Sequence, residues 1–173
     1  MIFKADDISV RIIQESIDNV NIYSKEYNLD PENQASSIYG LNCNDSSNCI
    51  ILAGGGASGV SEQSAIVQDS KLWIGIGDQL VCLSLPNFEM LWHLQVDWAT
   101  CFGLYLSPDG LGLLIHGELT ISKVTFSGEV LWSIGGKDIF TEGFEIHKDY
   151  IEAIDFNHEK YHIEIDNGNS ELL

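Results

Sequence analysis

The most conspicuous candidate for chemistry is a glycine-rich loop after residue 53. An apolar run, 49–53, leads into Gly54-x-Gly56-x-x-Gly59, which matches the dinucleotide-binding fingerprint. That fingerprint holds a pyrophosphate only between a strand and a helix of a βαβ unit. The segment that follows, 60–71, has too few apolar residues for an amphipathic helix. We therefore expect a glycine-rich connection between strands, with no cofactor bound.

The histidines and cysteines suggest a metal site. His158-x-x-x-His162 has metal-like spacing, and Cys43 with Cys49 could complete four ligands. The cysteines are farther apart than the spacer of two to four residues that is usual in structural zinc sites. The histidines fall in a predicted turn and a predicted strand, so they need not share a face. We expect two surface histidines and no metal.

His116 and Glu118 are a candidate acid–base pair, because alternate residues of a strand share a face. Gly117 between them equally fits a hairpin turn, which would make both residues structural. No nucleophile motif is present, since Gly56-Ala57-Ser58-Gly59 is one residue short of G-x-S-x-G. We expect no catalytic residues. The alternative is an enzyme or small-ligand-binding protein that uses the glycine loop and His116.

Charge is the most unusual bulk property of the 173-residue chain. It has 26 acidic and 8 basic residues, a formal net charge of −18, which exceeds the magnitude of roughly 2–8 recommended for a soluble small domain. Such a field repels nucleic acid and anionic membranes and attracts basic partners. The densest part is 138–171, with ten carboxylates against Lys148 and Lys160. We expect a basic protein partner, no nucleic acid and no membrane.

The expected contacts with that partner come from two places. Asp97, Trp98 and Asp138 follow two tryptophan-containing strands at nearly matched positions, as loop residues of a repeat would. The remaining contacts belong to the densest acidic stretch. The predicted partner-binding residues are Asp97, Trp98, Asp138, Asp149, Glu152, Asp155 and Glu159.

Internal repeats define the elements that would position these residues. LVCLSLPNFEMLWHL (80–94), LTISKVTFSGEVLWSI (119–134) and, more weakly, KYHIEIDNGNSELL (160–173) align with Trp92 opposite Trp132. Each unit predicts a strand, a turn and a second strand, and each is preceded by a further apolar strand. The fold class is therefore mainly β, with antiparallel meander repeats of about forty residues in a propeller-like or sandwich arrangement.

The first 48 residues differ from this pattern. Apolar alternation predicts strands at 10–14 and 20–23, and Asp30-Pro31 predicts a short N-terminal helix over 31–37. We expect one domain, 1–173, in which residues 1–48 form N-terminal strands plus this helix and residues 49–173 form the β-repeat region.

Two resemblances add to this reading. LVCLSLPNFEMLW is similar to the blade repeats of quinoprotein-type β-propellers; the similarity covers about 65–173 and implies a fold but no function. Three units fall short of the usual four to eight blades. The segments DWATCFGLY, LLIHGELTIS and SIGGKDIF resemble uncharacterised small bacterial immunity proteins of polymorphic or contact-dependent toxin systems. That resemblance implies an acidic surface that docks over the active site of a basic toxin, such as a nuclease.

The chain start places two aspartates where a signal peptide would have its apolar stretch. No apolar run approaches the ~20 residues that span a bilayer. We expect a cytoplasmic protein whose cysteines stay reduced. Cys82 and Cys101 lie among apolar residues, so we expect them to pack in the core.

Overall fold

The computed structural model describes every residue from Met1 to Leu173, and almost all of its regular structure is β-strand. One 3₁₀ helix spans Ile17–Ile22, and no helix is long and apolar enough to cross a membrane. The strands, in chain order, are β1 (Ile2–Ala5), β2 (Ile8–Gln14), β3 (Glu26–Asn28), β4 (Ser37–Cys43), β5 (Ser47–Ala53), β6 (Ala65–Gln68), β7 (Lys71–Ile76), β8 (Gln79–Ser84), β9 (Glu89–Gln95), β10 (Cys101–Leu106), β11 (Gly112–Gly117), β12 (Thr120–Thr125), β13 (Val130–Gly135), β14 (Gly143–Ile146), β15 (Tyr150–Ile154), β16 (Lys160–Glu164) and β17 (Ser170–Leu172).

The strands form four sheets. Sheet 1 has the order β1-β2-β4-β5-β3, whereas sheets 2, 3 and 4 are four-stranded meanders that follow the chain from β6, β10 and β14 respectively. All neighbouring strands are antiparallel except β3 and β5, which are parallel. Meanders form readily here because short turns join alternating apolar strands. The expectation of a mainly β, propeller-like chain is confirmed.

Three apolar cores join the sheets in a row. The first lies between sheets 1 and 2, the second between sheets 2 and 3, and the third between sheets 3 and 4. The first core includes Ile51 and Ile74, the second includes Trp73 and Leu113, and the third includes Trp132 and Ile151. No core joins sheet 4 back to sheet 1. The row therefore has two end sheets, each with one face that no other sheet covers.

Backbone hydrogen bonds also tie each sheet to the next. Glu118 N, in the turn between β11 and β12, donates to Thr100 O of the preceding loop at 2.7 Å. Phe140 N donates to Glu118 O at 2.7 Å, and Phe156 N donates to Ile139 O at 2.8 Å. The loop that leaves one sheet is thus fixed by a turn of the next sheet.

The repeat segments correspond to real elements. Each of the three aligned segments forms the last two strands of a sheet, β8–β9, β12–β13 and β16–β17. Gly128 and Gly168 in the last two turns have positive φ values of 90° and 74°, which favour glycine. The sheets begin at Ala65, Cys101 and Gly143. These intervals are unequal, so the structure shows no strict period.

The N-terminal region departs from its predictions. The predicted helix over 31–37 is wrong: Asn33 N and its side-chain amide bond to Asp30, which closes a single turn, and Ser36 N then pairs with Ala53 O. The predicted strand at 20–23 is also wrong, because this segment belongs to the 3₁₀ helix and its cap. The expected boundary between residues 48 and 49 falls inside β5, which pairs with β4 in sheet 1.

Candidate functional site

Asp97 has a structural role. Its side chain is only 2% exposed. One carboxylate oxygen accepts from Ala99 N at 2.7 Å, and the other accepts from Leu119 N at 3.0 Å and Thr120 N at 2.9 Å. Leu119 and Thr120 belong to the β11–β12 turn and the start of β12, so Asp97 fixes sheet 2 to sheet 3. The sequence analysis predicts a partner contact at Asp97; the structure places its carboxylate below the surface, hydrogen-bonded to backbone N–H groups of the protein.

Asp155 has a similar role in sheet 4. It is fully buried, and its carboxylate accepts from Asn157 N at 3.0 Å, Glu159 N at 3.0 Å and the Tyr161 hydroxyl at 2.9 Å. Burial opposes its ionisation, but these hydrogen bonds outweigh burial and lower the pKa of Asp155 below its ordinary value. The sequence analysis predicts a partner contact at Asp155 as well; the structure shows this side chain buried and organising its own turn.

The other predicted contact residues remain accessible to different degrees. Trp98 is 78% exposed, and Asp149 is exposed. Asp138 is half-buried and accepts from the Asn157 amide at 2.8 Å. Glu152 pairs with Lys160 at 2.6 Å, and Glu159 pairs with Lys137 at 3.0 Å. The structure does not bring all seven residues together: Trp98 lies between sheets 2 and 3, whereas Asp149 and Glu152 lie on sheet 4.

The uncovered side of sheet 4 carries a group of accessible carboxylates. Ile151 and Ile163 point into the core with sheet 3, so the residues that alternate with them point away from it. Across this outward side, Glu145 faces Glu152, Glu152 faces His162, and His162 faces Glu171. We call this surface the acidic face. Its carboxylates, including those at its edge, are Glu145, Asp149, Glu152, Glu164, Asp166 and Glu171.

Aromatic rings stack on the same surface. Tyr150 lies between His147, at 4.3 Å between ring centroids, and His162, at 4.2 Å. Asp149, Glu164 and Asp166 surround Tyr150 and His162 and form a shallow depression. The sequence analysis missed this combination of rings and carboxylates. The two-residue alternation along β15 and β16 is the signal that could have found it.

The glycine loop is filled by the protein's own groups. A Cβ atom on Gly55 would lie 2.6 Å from Ala99 O and 2.6 Å from Asp78 Cβ, and one on Gly56 would lie 2.0 Å from Thr100 Oγ1. Gly56 N donates to Ala99 O at 2.7 Å. The strand before the loop is present as β5, but β6 and an antiparallel meander follow it. This geometry does not form the βαβ unit of a dinucleotide site.

His116 is half-buried in an aromatic cluster. Its ring stacks on Phe144 at 4.3 Å, meets Phe102 edge-on, and hydrogen-bonds through Nε2 to Phe140 O at 2.9 Å. Burial lowers the pKa of His116 below its ordinary value, and the bond to Phe140 only partly opposes this effect. The ring therefore bridges sheets 3 and 4 in its neutral form. No hydrogen bond joins it to Glu118.

We expect this histidine to make the protein sensitive to mild acid. The unfolded chain takes up a proton near the ordinary value of 6.5, whereas folded His116 takes it up only at lower pH. Its stabilising contribution is therefore complete above that value and is lost as pH falls through it. Urea unfolding between about pH 7.5 and 5.5 should show this loss in the wild type and a flatter profile in His116→Gln. Parallel profiles would refute this assignment.

The cysteines are buried and unpaired. Burial raises the pKa of Cys49 and Cys101 to about 12 and of Cys82 to about 11, so these thiols stay protonated. No group of three or more His, Cys, Asp or Glu side chains is arranged to hold a metal ion. His158 is exposed, whereas His162 is half-buried in the ring stack.

The row of four small sheets defines a β-propeller-like fold. Solved structures with this architecture include the Pan2 WD40 domain of Neurospora crassa, with a TM-score of 0.50, 16% identity, and coverage of 64% of this chain and 37% of that one. The Cps50 (Swd1) β-propeller domain of Myceliophteria thermophila has a TM-score of 0.54 and 12% identity, with coverage of 80% of this chain and 54% of that one. BamB of Moraxella catarrhalis has a TM-score of 0.54 and 13% identity, with coverage of 99% of this chain and 60% of that one.

These likenesses extend to the fold alone. The chain spans 37 to 60% of the length of these solved structures. No protein-family model matches the sequence. No curated protein matches it either.

Proposed function

We propose that this protein binds a basic protein partner through the acidic face of sheet 4. The observation that carries this proposal is the position of the face at the end of the sheet row. No further sheet covers it, and its outward side chains include several carboxylates where an interior sheet would present mostly apolar residues. A positively charged surface is the complement of such a face, and it would associate quickly at low salt.

The stacked rings add a means of recognising arginine. A guanidinium can lie flat on an aromatic ring while its N–H groups donate to nearby carboxylates. Tyr150 and His162 supply the rings, and Asp149, Glu164 and Asp166 supply carboxylates around them. The charge of the chain, −18, argues against a second copy as the occupant of this face, since like charges facing each other are costly.

The specific proposal is immunity against a toxin. A nuclease must present positive charge to hold phosphates, and an acidic protein can occupy that surface in their place. On this proposal the acidic face covers the active site of a basic toxin, and the outcome is inhibition by occlusion. The face can do this without catalytic residues of its own.

Charge reversal on the acidic face tests the proposal. We expect Glu145→Lys/Asp149→Lys/Glu171→Lys to slow association with the basic partner by about 10- to 100-fold at low salt and to reduce its salt dependence. Glu145 makes only a 3.7 Å contact with His147, and the carboxylates of the other two residues hold no turn or strand in place. The partner is isolated on the immobilised wild-type protein, identified by mass spectrometry, and measured by surface plasmon resonance.

The matched control carries the same change of charge elsewhere. Glu26, Glu32 and Glu62 are exposed residues outside sheet 4, and their replacement by lysine should weaken binding much less. Inhibition of the partner's activity by the wild type, lost with the acidic-face variant, would support the immunity proposal. Equal binding by the two triple variants would overturn the acidic face as the interface, and binding without inhibition would overturn immunity.

A further inference from the structure

A narrow crevice opens between sheets 2 and 3, away from the acidic face. One wall is formed by the end of β9 and the residues after it, and the other by β12 and β13. Its volume is about 170 Å³. A cavity of about 150 Å³ holds a molecule the size of benzene, whereas drug-sized ligands need about 300 Å³ or more. The crevice therefore has room for one side chain and not for a nucleotide.

Two residues give this crevice affinity for a cation. Trp98 lines it and keeps 78% of its surface exposed, which is unusual for so large an apolar ring. Asp97 also lines it, buried beneath the surface, and its carboxylate accepts hydrogen bonds from neutral donors only. None of the ion pairs of the protein includes Asp97. No lysine or arginine side chain pairs with its negative charge.

A hydroxyl group in the crevice lacks a partner. Ser122 is 2% exposed, and its Oγ makes no hydrogen bond. Buried polar atoms without partners are rare in folded proteins and call for an explanation. Ser133 faces Ser122 across β12 and β13 and also lines the crevice. The exposed Ser133 hydroxyl can accept an N–H group from a side chain that enters, and rotation about χ1 of Ser122 would turn its occluded hydroxyl toward the same side chain.

We infer that this crevice is a binding slot for one arginine side chain of the partner. The guanidinium would stack on Trp98, donate to the hydroxyls of Ser122 and Ser133, and gain from the charge of Asp97. Arginine fits better than lysine, because its planar fork combines stacking with several donors. That the arginine belongs to the basic partner rests on the proposed function, whereas the affinity of the slot for arginine does not. The slot would place a second contact on the protein, distant from sheet 4.

The test uses two short peptides, acetyl-Gly-Gly-Arg-Gly-Gly-amide and its counterpart with citrulline, a neutral isostere of arginine. Binding is followed by NMR through the indole N–H of Trp98 and the backbone amide of Ser122. We expect saturable shifts of both signals with the arginine peptide and at least about 5-fold weaker binding of the citrulline peptide. Ser122→Ala should weaken the arginine peptide by about 3- to 10-fold.

The variants are chosen so that they fold. Ser122→Ala removes an unpaired buried hydroxyl, which is neutral or stabilising, and Trp98→Ala changes an exposed residue. We expect Trp98→Ala to weaken the peptide by about 3- to 30-fold, measured at Ser122. The matched controls are Ser107→Ala, a buried serine outside the crevice, and Phe156→Ala, an aromatic residue that is 59% exposed. Neither control should change the affinity.

The outcomes separate this inference from the proposed function. Equal affinity for the arginine and citrulline peptides, or unchanged affinity in Ser122→Ala and Trp98→Ala, overturns the slot. The acidic-face triple variant should bind the arginine peptide at Trp98 as the wild type does. If that variant loses the basic partner but keeps the slot shifts, both proposals stand. If the slot shifts are absent while the acidic face still binds its partner, only the slot fails.

Discussion

Asp109→Ala is expected to destabilise the protein by about 3–5 kcal/mol, because it leaves a buried ammonium group without its counter-charge. Lys123 is 1% exposed. Its Nζ donates to the Asp109 carboxylate and, at 3.2 Å, to Ile165 O. Burial opposes the ionisation of Asp109, but its hydrogen bonds, chiefly those from Lys123 and Leu111 N, together with the charge of Lys123, outweigh burial and lower the pKa of Asp109 below its ordinary value. The pair anchors sheet 4 on sheet 3.

The double variant Asp109→Ala/Lys123→Met should recover most of that loss, since an apolar side chain of similar length replaces the buried charge. Trp132 Nε1 would still donate to Ile165 O, at 2.9 Å. Urea unfolding of the wild type, both single variants and the double variant gives the coupling energy directly. Lys137→Met, which removes an exposed ion pair, is the control and should cost far less than Asp109→Ala, because exposed ion pairs contribute little to stability. If Asp109→Ala lowered the free energy of unfolding no more than Lys137→Met does, Lys123 would be shown to be hydrated.

The strand order of sheets 2, 3 and 4 was predictable, because it depends on sequence signals that are local to each hairpin. Alternating apolar residues and short turns locate the strands, and Asn167-Gly168 marks the last hairpin as directly as any pair in the chain. A meander needs only neighbouring strands to pair. Its topology therefore follows once the turns are recognised, and the propeller-like arrangement follows from repeating it.

Sheet 1 was less predictable, because its pairing is not local. The three-residue strand β3 is polar and joins β5 in parallel, across β4 in the sequence. The apolar alternation at 20–23 resembles a strand, yet this segment packs over sheet 1. The Tyr23 hydroxyl donates to Glu15 at 2.6 Å and lies directly over Gly40 of β4. Only the space left by Gly40 explains this placement.

The roles of the acidic residues were likewise predictable only where their hydrogen bonds are local in sequence. Asp155 bonds to Asn157 and Glu159 within its own turn, so a local Asx-turn signal was available. Asp97 accepts hydrogen bonds from Leu119 N and Thr120 N of the next sheet, and no residue near Asp97 in the sequence indicates these contacts. Composition identified an acidic protein, but only long-range contacts distinguish carboxylates that build the sheets from those that face outward.

Gly55→Ala is expected to destabilise the protein by about 2–4 kcal/mol, which combines left-handed backbone strain with overpacking. Gly55 has a φ of 72°, and its added Cβ would lie 2.6 Å from Ala99 O, a backbone atom that cannot move aside cheaply. Gly59→Ala should change the stability by less than about 0.5 kcal/mol. Gly59 has no atom within 4 Å of its added Cβ. Thermal and urea unfolding of the two variants measure this difference.

A dinucleotide-binding loop predicts the opposite order. In the fingerprint Gly54-x-Gly56-x-x-Gly59, Gly55 occupies a variable position and Gly59 a required one. Here Gly55 is required because the loop packs against Asp78 and Ala99, which join sheet 1 to the connections of sheet 2. A tolerated Gly55→Ala together with a damaging Gly59→Ala would restore the phosphate-binding interpretation. The expected order instead makes these glycines a close-packing device, in which small residues let two loops approach.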